Sequence, residues 1–311
     1  ELGEVSDWQA EYKWDGIRAQ LIKREGEVFI WSRGEELITD QFPEIRDALL
    51  QWAGNFVIDG ELLVSRDNVV QDFSDLQKRL NRKTISRKML EELPVVLYAY
   101  DLLEWELEDW REKPLSERRL KLEELIASRE GEHIKLSAII ALESWTELPA
   151  LREQARDRNS EGIMLKHKYS PYHSGRKRGD WWKWKVEPLT LDAVLIYAQK
   201  GSGRRSGYYT DYTFAVRSGE ELVTIAKAYS GLTDKEIQEV SRFVNSHALE
   251  KFGPVRTVKP ELVFELAFEG ISLSSRHKSG VALRFPRILR WRRDKTVKDI
   301  DDIENIKKLI G

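Results

Sequence analysis

Glu11-Tyr12-Lys13-Trp14-Asp15-Gly16-Ile17-Arg18 is the stretch on which the reading of this chain turns. Trp8 to Trp14 read as a strand, Asp15-Gly16 is a hairpin signal because a tight turn needs positive φ, and Ile17 to Lys23 read as the next strand. A second turn at Glu25-Gly26 and a strand from Val28 to Ser32 complete an expected β meander over residues 8 to 32. Lys13 then sits at a strand end beside a turn, with Glu11 two residues earlier on the same face.

Outward from this point, Pro43 to Trp52 reads as a short helix, and Phe56 to Val64 as a buried strand interrupted by Asp59-Gly60-Glu61. Two carboxylates on one face of an apolar strand cost free energy unless partners offset it. Helices are expected over Phe73–Leu80, Leu115–Ser128 and Ser144–Arg158, with a core strand from Pro94 to Leu103 that carries Tyr100-Asp101. Gly162 to His167 follows Glu161 as a strand. In Trp181–Val186, Lys183 and Lys185 alternate with Trp182 and Trp184, so the tryptophans are expected to bury one face and turn the lysines toward a cleft.

After Glu187-Pro188 the texture changes to short strands (Leu191–Ala198, Tyr208–Val216, Leu222–Ala228, Leu262–Phe268), one helix at Thr233–Ser246 and a glycine-rich loop at Gly201–Gly207. That pattern suits a small Greek-key barrel of the OB type. The fold class is therefore α+β, with one domain over residues 1–187 and a second over 188–311; Asp299 to Ile310 reads as a terminal helix.

With no cysteine among its 311 residues, the chain has no disulfide, thiolate zinc site or cysteine nucleophile. It has no apolar run of bilayer length, and Glu1 to Asp7 lack signal-peptide features, so a soluble protein of the bacterial cytosol or nucleoid, without a membrane, is expected. The chain opens on Glu1 and reaches Lys13 almost at once, which suggests an absent N-terminal part. Net charge is only −2, yet two basic clusters stand out: Lys166, His167, Lys168, Arg176, Lys177 and Arg178, then Arg284, Arg287, Arg290, Arg292, Arg293 and Lys295. Each reads either as a solvated face or as a grip on a phosphate backbone. Gly201–Gly207 lacks the G-K-[ST] ending of a P-loop and reads as a flexible basic loop, while His167 and His173 lack a zinc-ligand pattern and read as surface histidines.

Taken in order, K-x-D-G-x-R at Lys13–Arg18, Ser32-Arg33, Asp59-Gly60-Glu61, Tyr100-Asp101, E-G-I-M-L-K at Glu161–Lys166, W-K-W-K at Trp182–Lys185 and R-x-D-K at Arg292–Lys295 resemble the catalytic core of an ATP-dependent DNA ligase. The resemblance covers the whole chain and is nearest in texture to bacterial ligases of the cisplatin damage response type. It implies an adenylation (nucleotidyltransferase) domain of antiparallel sheets flanked by helices, followed by an OB-fold domain.

It further implies that Lys13 attacks the α-phosphate of ATP to give a lysyl-AMP. The nucleophile must be the neutral amine, whereas a free lysine with a pKa of about 10.4 is protonated at neutral pH, so nearby positive charge has to favour proton loss. Glu61 and Glu161 would hold Mg²⁺, for which Mn²⁺ substitutes, and Lys183 and Lys185 would hold the α-phosphate. Glu11 would recognise adenine, Tyr100 would stack on it, Arg18 and Arg33 would take ribose or phosphate, and Asp15 would act with the metal or the nick during sealing. Arg292 and Lys295 would orient the leaving pyrophosphate, with Arg293 at the variable position. The expected activity is a monomeric enzyme sealing nicked duplex DNA with 3′-hydroxyl and 5′-phosphate ends, in repair, recombination or replication. Weak, salt-sensitive DNA affinity follows if a helical N-terminal DNA-binding domain is missing. The competing readings are an RNA ligase, a GTP-using capping-type nucleotidyltransferase, and a non-catalytic nucleic-acid-binding module.

Overall fold

The computed structural model describes every residue except Glu1, Asn81, Lys83, Ser128, Glu130, Glu132, Arg176 and Gly311. Two units, Glu1–Val186 and Glu187–Gly311, each carry a core of their own.

The first unit is built on two sheets. In one, the strand order is Trp181–Lys185, Ser160–His167, Trp8–Trp14, Ile139–Ile140. In the other it is Glu27–Ser32, Ile17–Arg24, Phe56–Arg66, Val95–Trp105, Glu108–Asp109, with Ile134–Leu136 parallel to Val95–Trp105.

The expected meander is therefore corrected. Trp8–Trp14 and Ile17–Arg24 do not pair; the former lies antiparallel to Ser160–His167, the latter to Glu27–Ser32 and Phe56–Arg66. At Asp15-Gly16 the chain crosses from one sheet to the other. Gly16 is not among the glycines at positive φ, and what fixes its identity is space: a Cβ would lie 2.3 Å from the Leu62 carbonyl oxygen. The one hairpin of the meander is at Glu25-Gly26, where φ is 52° and 84° as a tight turn requires.

Strand alternation then sorts the residues of the second sheet. Ala19, Leu21 and Lys23 face the core, where Leu21, Ile58, Leu62 and Leu97 pack against Ile45 and Leu49 of the helix Pro43–Leu50, Leu76 of Phe73–Leu80, and Leu122 and Leu125 of Leu115–Ala127. Lys23 is satisfied there: its ammonium donates to the carbonyls of Leu49 at 2.7 Å and Leu50 at 3.0 Å, capping that helix's C-terminus. Arg18, Gln20 and Ile22 are left on the opposite, half-buried face. The first sheet packs Trp8, Ala10, Ile163 and Leu165 on Leu148.

The helix expected over Ser144–Arg158 is broken into a 3₁₀ turn Trp145–Glu147, an α-helix Leu148–Ala155 and a second turn Arg156–Arg158. Pro149 has no N–H to continue a helix from the preceding turn, so it sits in the first turn of a new one. The helix from Leu115 ends at Ala127; Ser128, its expected last residue, lies outside the described residues.

In the second unit the long strand Leu189–Lys200 pairs along its first half with Val263–Phe268 and along its second with Val255–Val258, while Tyr209–Ser218 covers its other edge. The path continues to Glu221–Ala228 on one side, and Val263–Phe268 pairs on with Arg287–Trp291. The Ile288 N–H donates to the Ser230 carbonyl at 3.0 Å, drawing these ends together into the expected small barrel. Asp234–His247, opened by the Thr233/Glu236 capping box, buries Val240 and Val244 in its core. Five described strands of this unit escaped the sequence reading: those of the hairpins Ala248–Phe252/Val255–Val258 and Gly270–Leu273/Val281–Arg284, and the strand Arg287–Trp291. The terminal helix shrinks to Ile303–Lys307, started by the Asp302 cap after the 3₁₀ turn Val297–Asp299.

Candidate active site

Lys13 lies at a register shift between Tyr12 and Trp14, so it stands at a bulge of its strand rather than in the ladder. Its Nζ donates to Glu161 Oε2 at 2.5 Å, and Lys185 Nζ lies 3.2 Å from the same oxygen. Gly162, paired with Lys185 at φ 139°, has the carbonyl of Trp184 2.2 Å from where a Cβ would be, so the strand carrying Glu161 passes the lysine strand with no room for a side chain. Burial alone would raise the Glu161 carboxyl, but the hydrogen bond and charge of Lys13, and then Lys185, outweigh it and hold it below its ordinary value.

Glu61 lies opposite Arg18 on the neighbouring strand, and its Oε1 accepts the Gly16 N–H at 3.2 Å. Burial pushes its carboxyl up to about 7 against the opposing charge of Lys13, with Asp59 adding to the rise. Among the described residues no three His, Asp or Glu side chains cluster as a ready-made cation cage. What stands beside Lys13 is one half-buried carboxylate raised by desolvation and one carboxylate shared by two lysines. Two hard oxygen donors of this kind suit Mg²⁺, which keeps water and phosphate oxygens for its remaining positions.

A second cluster surrounds Glu11, which is 1% exposed. Its Oε1 accepts both Gln9 Nε2 at 2.7 Å and Lys166 Nζ at 2.8 Å. Lys166, equally buried, lies 4.3 Å from the Tyr100 ring centroid and 4.8 Å from that of Trp181. This corrects the first basic cluster: Lys166 is an internal ion-pair partner, Lys168 donates to the Ser6 carbonyl, and Arg176 lies outside the described residues. His167 is half-buried and edge-on to Trp8, and His173 pairs with Asp180 at 2.5 Å, so neither is the free surface histidine expected.

The third cluster is centred on Asp59, which is fully buried. It accepts Arg18 Nη2 at 2.5 Å, Arg18 Nε at 3.2 Å, the Tyr172 hydroxyl at 2.6 Å and the Tyr100 hydroxyl at 3.1 Å. Arg18 and Tyr172, together with the exposed Arg33, line a basin of about 1030 Å³ along with Ile22, Trp31 and Val57; Lys13, Glu61 and Glu161 are not among its lining residues. Asp101, next to Tyr100, is instead structural: with both partners fully buried, it takes the Arg118 guanidinium at 2.7 and 2.9 Å, and Arg118 also donates to the carbonyls of Lys113 and Ser170.

The strand Trp181–Lys185 differs from expectation. Trp182 is 45% exposed and Lys183 is exposed, while Trp184 packs beside Tyr12, so of the two tryptophans that alternate with the lysines Trp184 is packed and Trp182 is not. Asp15 sits half-buried in the crossing segment. In the second unit Arg292 pairs with Asp294 at 2.7 Å and Asp192 at 3.3 Å, and Lys295 with Asp192 at 2.5 Å. Arg287, Arg290 and Arg293 likewise hold Glu269, Glu265 and Glu239, so much of the second basic cluster is neutralised within its own unit.

Sequence reasoning missed Tyr172 and the pairing of Lys166 with Glu11. Neither has a local signal: Tyr172 is separated from Asp59 by 113 residues and Lys166 from Glu11 by 155.

Comparison with known proteins gives one consistent answer. The ATP dependent DNA ligase domain matches residues 3–185 and the ATP dependent DNA ligase C terminal region residues 205–295. A probable DNA ligase of Koribacter versatilis is 41% identical over 96% of this chain, and the chain spans 56% of that relative's length. The ligase domain of M. tuberculosis LigD has a TM-score of 0.51 at 23% identity, covering 96% of this chain and 93% of that one. A Lig E DNA ligase described as binding DNA with a minimal scaffold has a TM-score of 0.63 at 20% identity, covering 93% and 94%. These two share the fold.

Proposed function

The chain belongs to the ATP-dependent DNA ligase family, and on that premise we propose that it joins nicks in duplex DNA through an AMP carried on Lys13. The observation that carries this reading is the 2.5 Å contact of Lys13 Nζ with Glu161, shared by Lys185 and set beside the half-buried Glu61.

The steps balance on these residues. Lys13 Nζ, its proton released to solvent, attacks the α-phosphorus of ATP; the bond to pyrophosphate breaks, a P–N bond forms, and the nitrogen gives up a second proton to solvent. A 5′-phosphate oxygen at the nick then displaces Lys13 to give an adenylated DNA end, and the 3′-hydroxyl displaces AMP to close the strand. Glu61 and Glu161 would hold Mg²⁺ or Mn²⁺, which when bound neutralises phosphate charge and draws carboxylate density away from the lysine. Lys183 and Lys185 stabilise the charge on the α-phosphate oxygens. Glu11 accepts from adenine with its edge turned by Gln9 and Lys166, Tyr100 stacks on the base, and Arg18 and Arg33 take the ribose and a phosphate. Asp15 serves the sealing step. Arg292 and Lys295, in the second domain (residues 188–311), orient pyrophosphate, while Lys13 and the nucleotide-binding residues belong to the first (residues 1–187). The enzyme works as a cytosolic monomer in DNA repair or recombination.

The test is incubation with α-labelled ATP and Mg²⁺, then with nicked DNA. Acid-labile label on the wild type and none on Lys13→Ala, followed by joining, is the expected result. Labelling that persists in Lys13→Ala, or that needs GTP or RNA ends, overturns it.

A further inference from the structure

Arg18 reaches Asp59 through its Nε and Nη2 atoms, and Nη2 also donates to the Tyr172 hydroxyl at 2.6 Å. That hydroxyl passes its own proton to Asp59 Oδ2 at 2.6 Å. The direction is fixed by chemistry: a guanidinium has no acceptor and a carboxylate no donor, so only the phenol can do both. Two of the three guanidinium nitrogens are thus engaged on the inner side. Nη1 takes no part in these bonds, and Arg18, 37% exposed at its side chain, lines the large basin.

Tyr172 is itself held firmly. Its ring meets Trp181 edge-on at 6.0 Å, its N–H donates to the Arg111 carbonyl at 2.7 Å, and two residues earlier the Ser170 carbonyl receives Leu115 N–H and the buried Arg118. The hydroxyl therefore comes from a segment fixed independently of Arg18, which is what a guide for a flexible side chain requires.

We propose that Tyr172 is a positioning residue for nucleotide binding: its hydroxyl, with Asp59, holds Arg18 so that the Nη1 edge faces the basin and takes the ribose hydroxyls of the nucleotide. This rests on the reading of Lys13 as the adenylated residue. The Tyr172 hydroxyl acts on Arg18 and touches no reacting atom, so its loss weakens nucleotide capture without disabling Lys13.

Single-turnover labelling of Lys13 with α-labelled ATP and with its 2′-deoxy and 3′-deoxy analogues tests this in wild type and Tyr172→Phe. The expected result for Tyr172→Phe is a half-saturating ATP concentration raised about tenfold, the loss of one charge-assisted hydrogen bond, with the saturating rate changed less than about threefold. The penalty for the deoxy nucleotide should be about tenfold in wild type and fall below about twofold in the variant. That penalty is a ratio within one protein, so a smaller folded fraction cancels from it. An unchanged penalty overturns the role of the hydroxyl while leaving Lys13 adenylation intact. Complete loss of labelling in Tyr172→Phe, folded or unfolded, overturns it too, because the hydroxyl is then structural. Absence of label on wild type defeats the underlying reading instead.

Discussion

Lys13 Nζ rests 2.5 Å from Glu161 Oε2, a contact made across 148 residues of chain. On the proposed mechanism an ammonium held in this way does not attack phosphorus, so the pair would be a resting arrangement whose carboxylate changes partner before chemistry begins.

Glu161→Gln tests that arrangement. The variant keeps the shape and loses the charge, and Lys13 labelling by α-labelled ATP at fixed Mg²⁺ should fall about a hundredfold or more, a typical loss for a group that sets transition-state charge. Thermal unfolding should barely move, because the side chain is partly exposed. A variant that labels at the wild-type rate would remove Glu161 from the site.

Glu61 supplies a pH dependence. Its folded-state value of about 7 lies above the ordinary 4.5, so folding favours the protonated form. The associated stability is full below about pH 4.5 and is lost as pH rises through about 7. In metal-free buffer, urea unfolding of wild type compared with Glu61→Gln should therefore show the variant gaining relative stability between these limits, by at most about 3 kcal/mol. A difference that is flat with pH, or that runs the other way, would contradict the burial argument.

The Asp101–Arg118 pair makes a stability prediction with a partner control. Arg118→Met leaves a buried carboxylate without its cation and should cost about 3–5 kcal/mol in denaturant unfolding. Adding Asp101→Asn should return part of that loss. Equal losses in the single and double variants would argue against charge burial as the cause.

Gly16→Ala should be severe although the residue is not at positive φ. A methyl group 2.3 Å from the Leu62 carbonyl forces the crossing strands apart, with a cost of about 2 kcal/mol or more and a large loss of Lys13 labelling. A variant with an unaltered melting temperature would show that the crossing is more yielding than its geometry.

Much of this was legible in the sequence because the site is made of short motifs on alternating strands. The period of two placed Asp59 with Glu61 and Lys183 with Lys185, and the change of texture after Glu187-Pro188 announced the barrel. What failed were inferences from local rules whose outcome tertiary structure decides. Asp15-Gly16 carries the same dipeptide as a hairpin, yet here the glycine answers a crowding requirement set by Leu62, 46 positions away in contact but invisible in the chain. Lys166 looked like part of a basic surface because its counter-charge, Glu11, belongs to the opposite end of the unit's sequence. Trp182 looked like an anchor by alternation alone, but on this edge strand its own position is open to solvent while Trp184, on the same face, is packed. The hairpins between Ala248 and Arg284 are built of strands of four or five residues, too short for a periodicity to show.

The hold of Asp192 on both Arg292 and Lys295 has a further implication for the second unit. If these cations take pyrophosphate as proposed, the anion does not meet open charge; it enters an exchange in which an aspartate is displaced. Capture is then set by a difference between two affinities, which favours a multiply charged polyphosphate over chloride or a lone carboxylate and makes release the easy direction once that charge has gone.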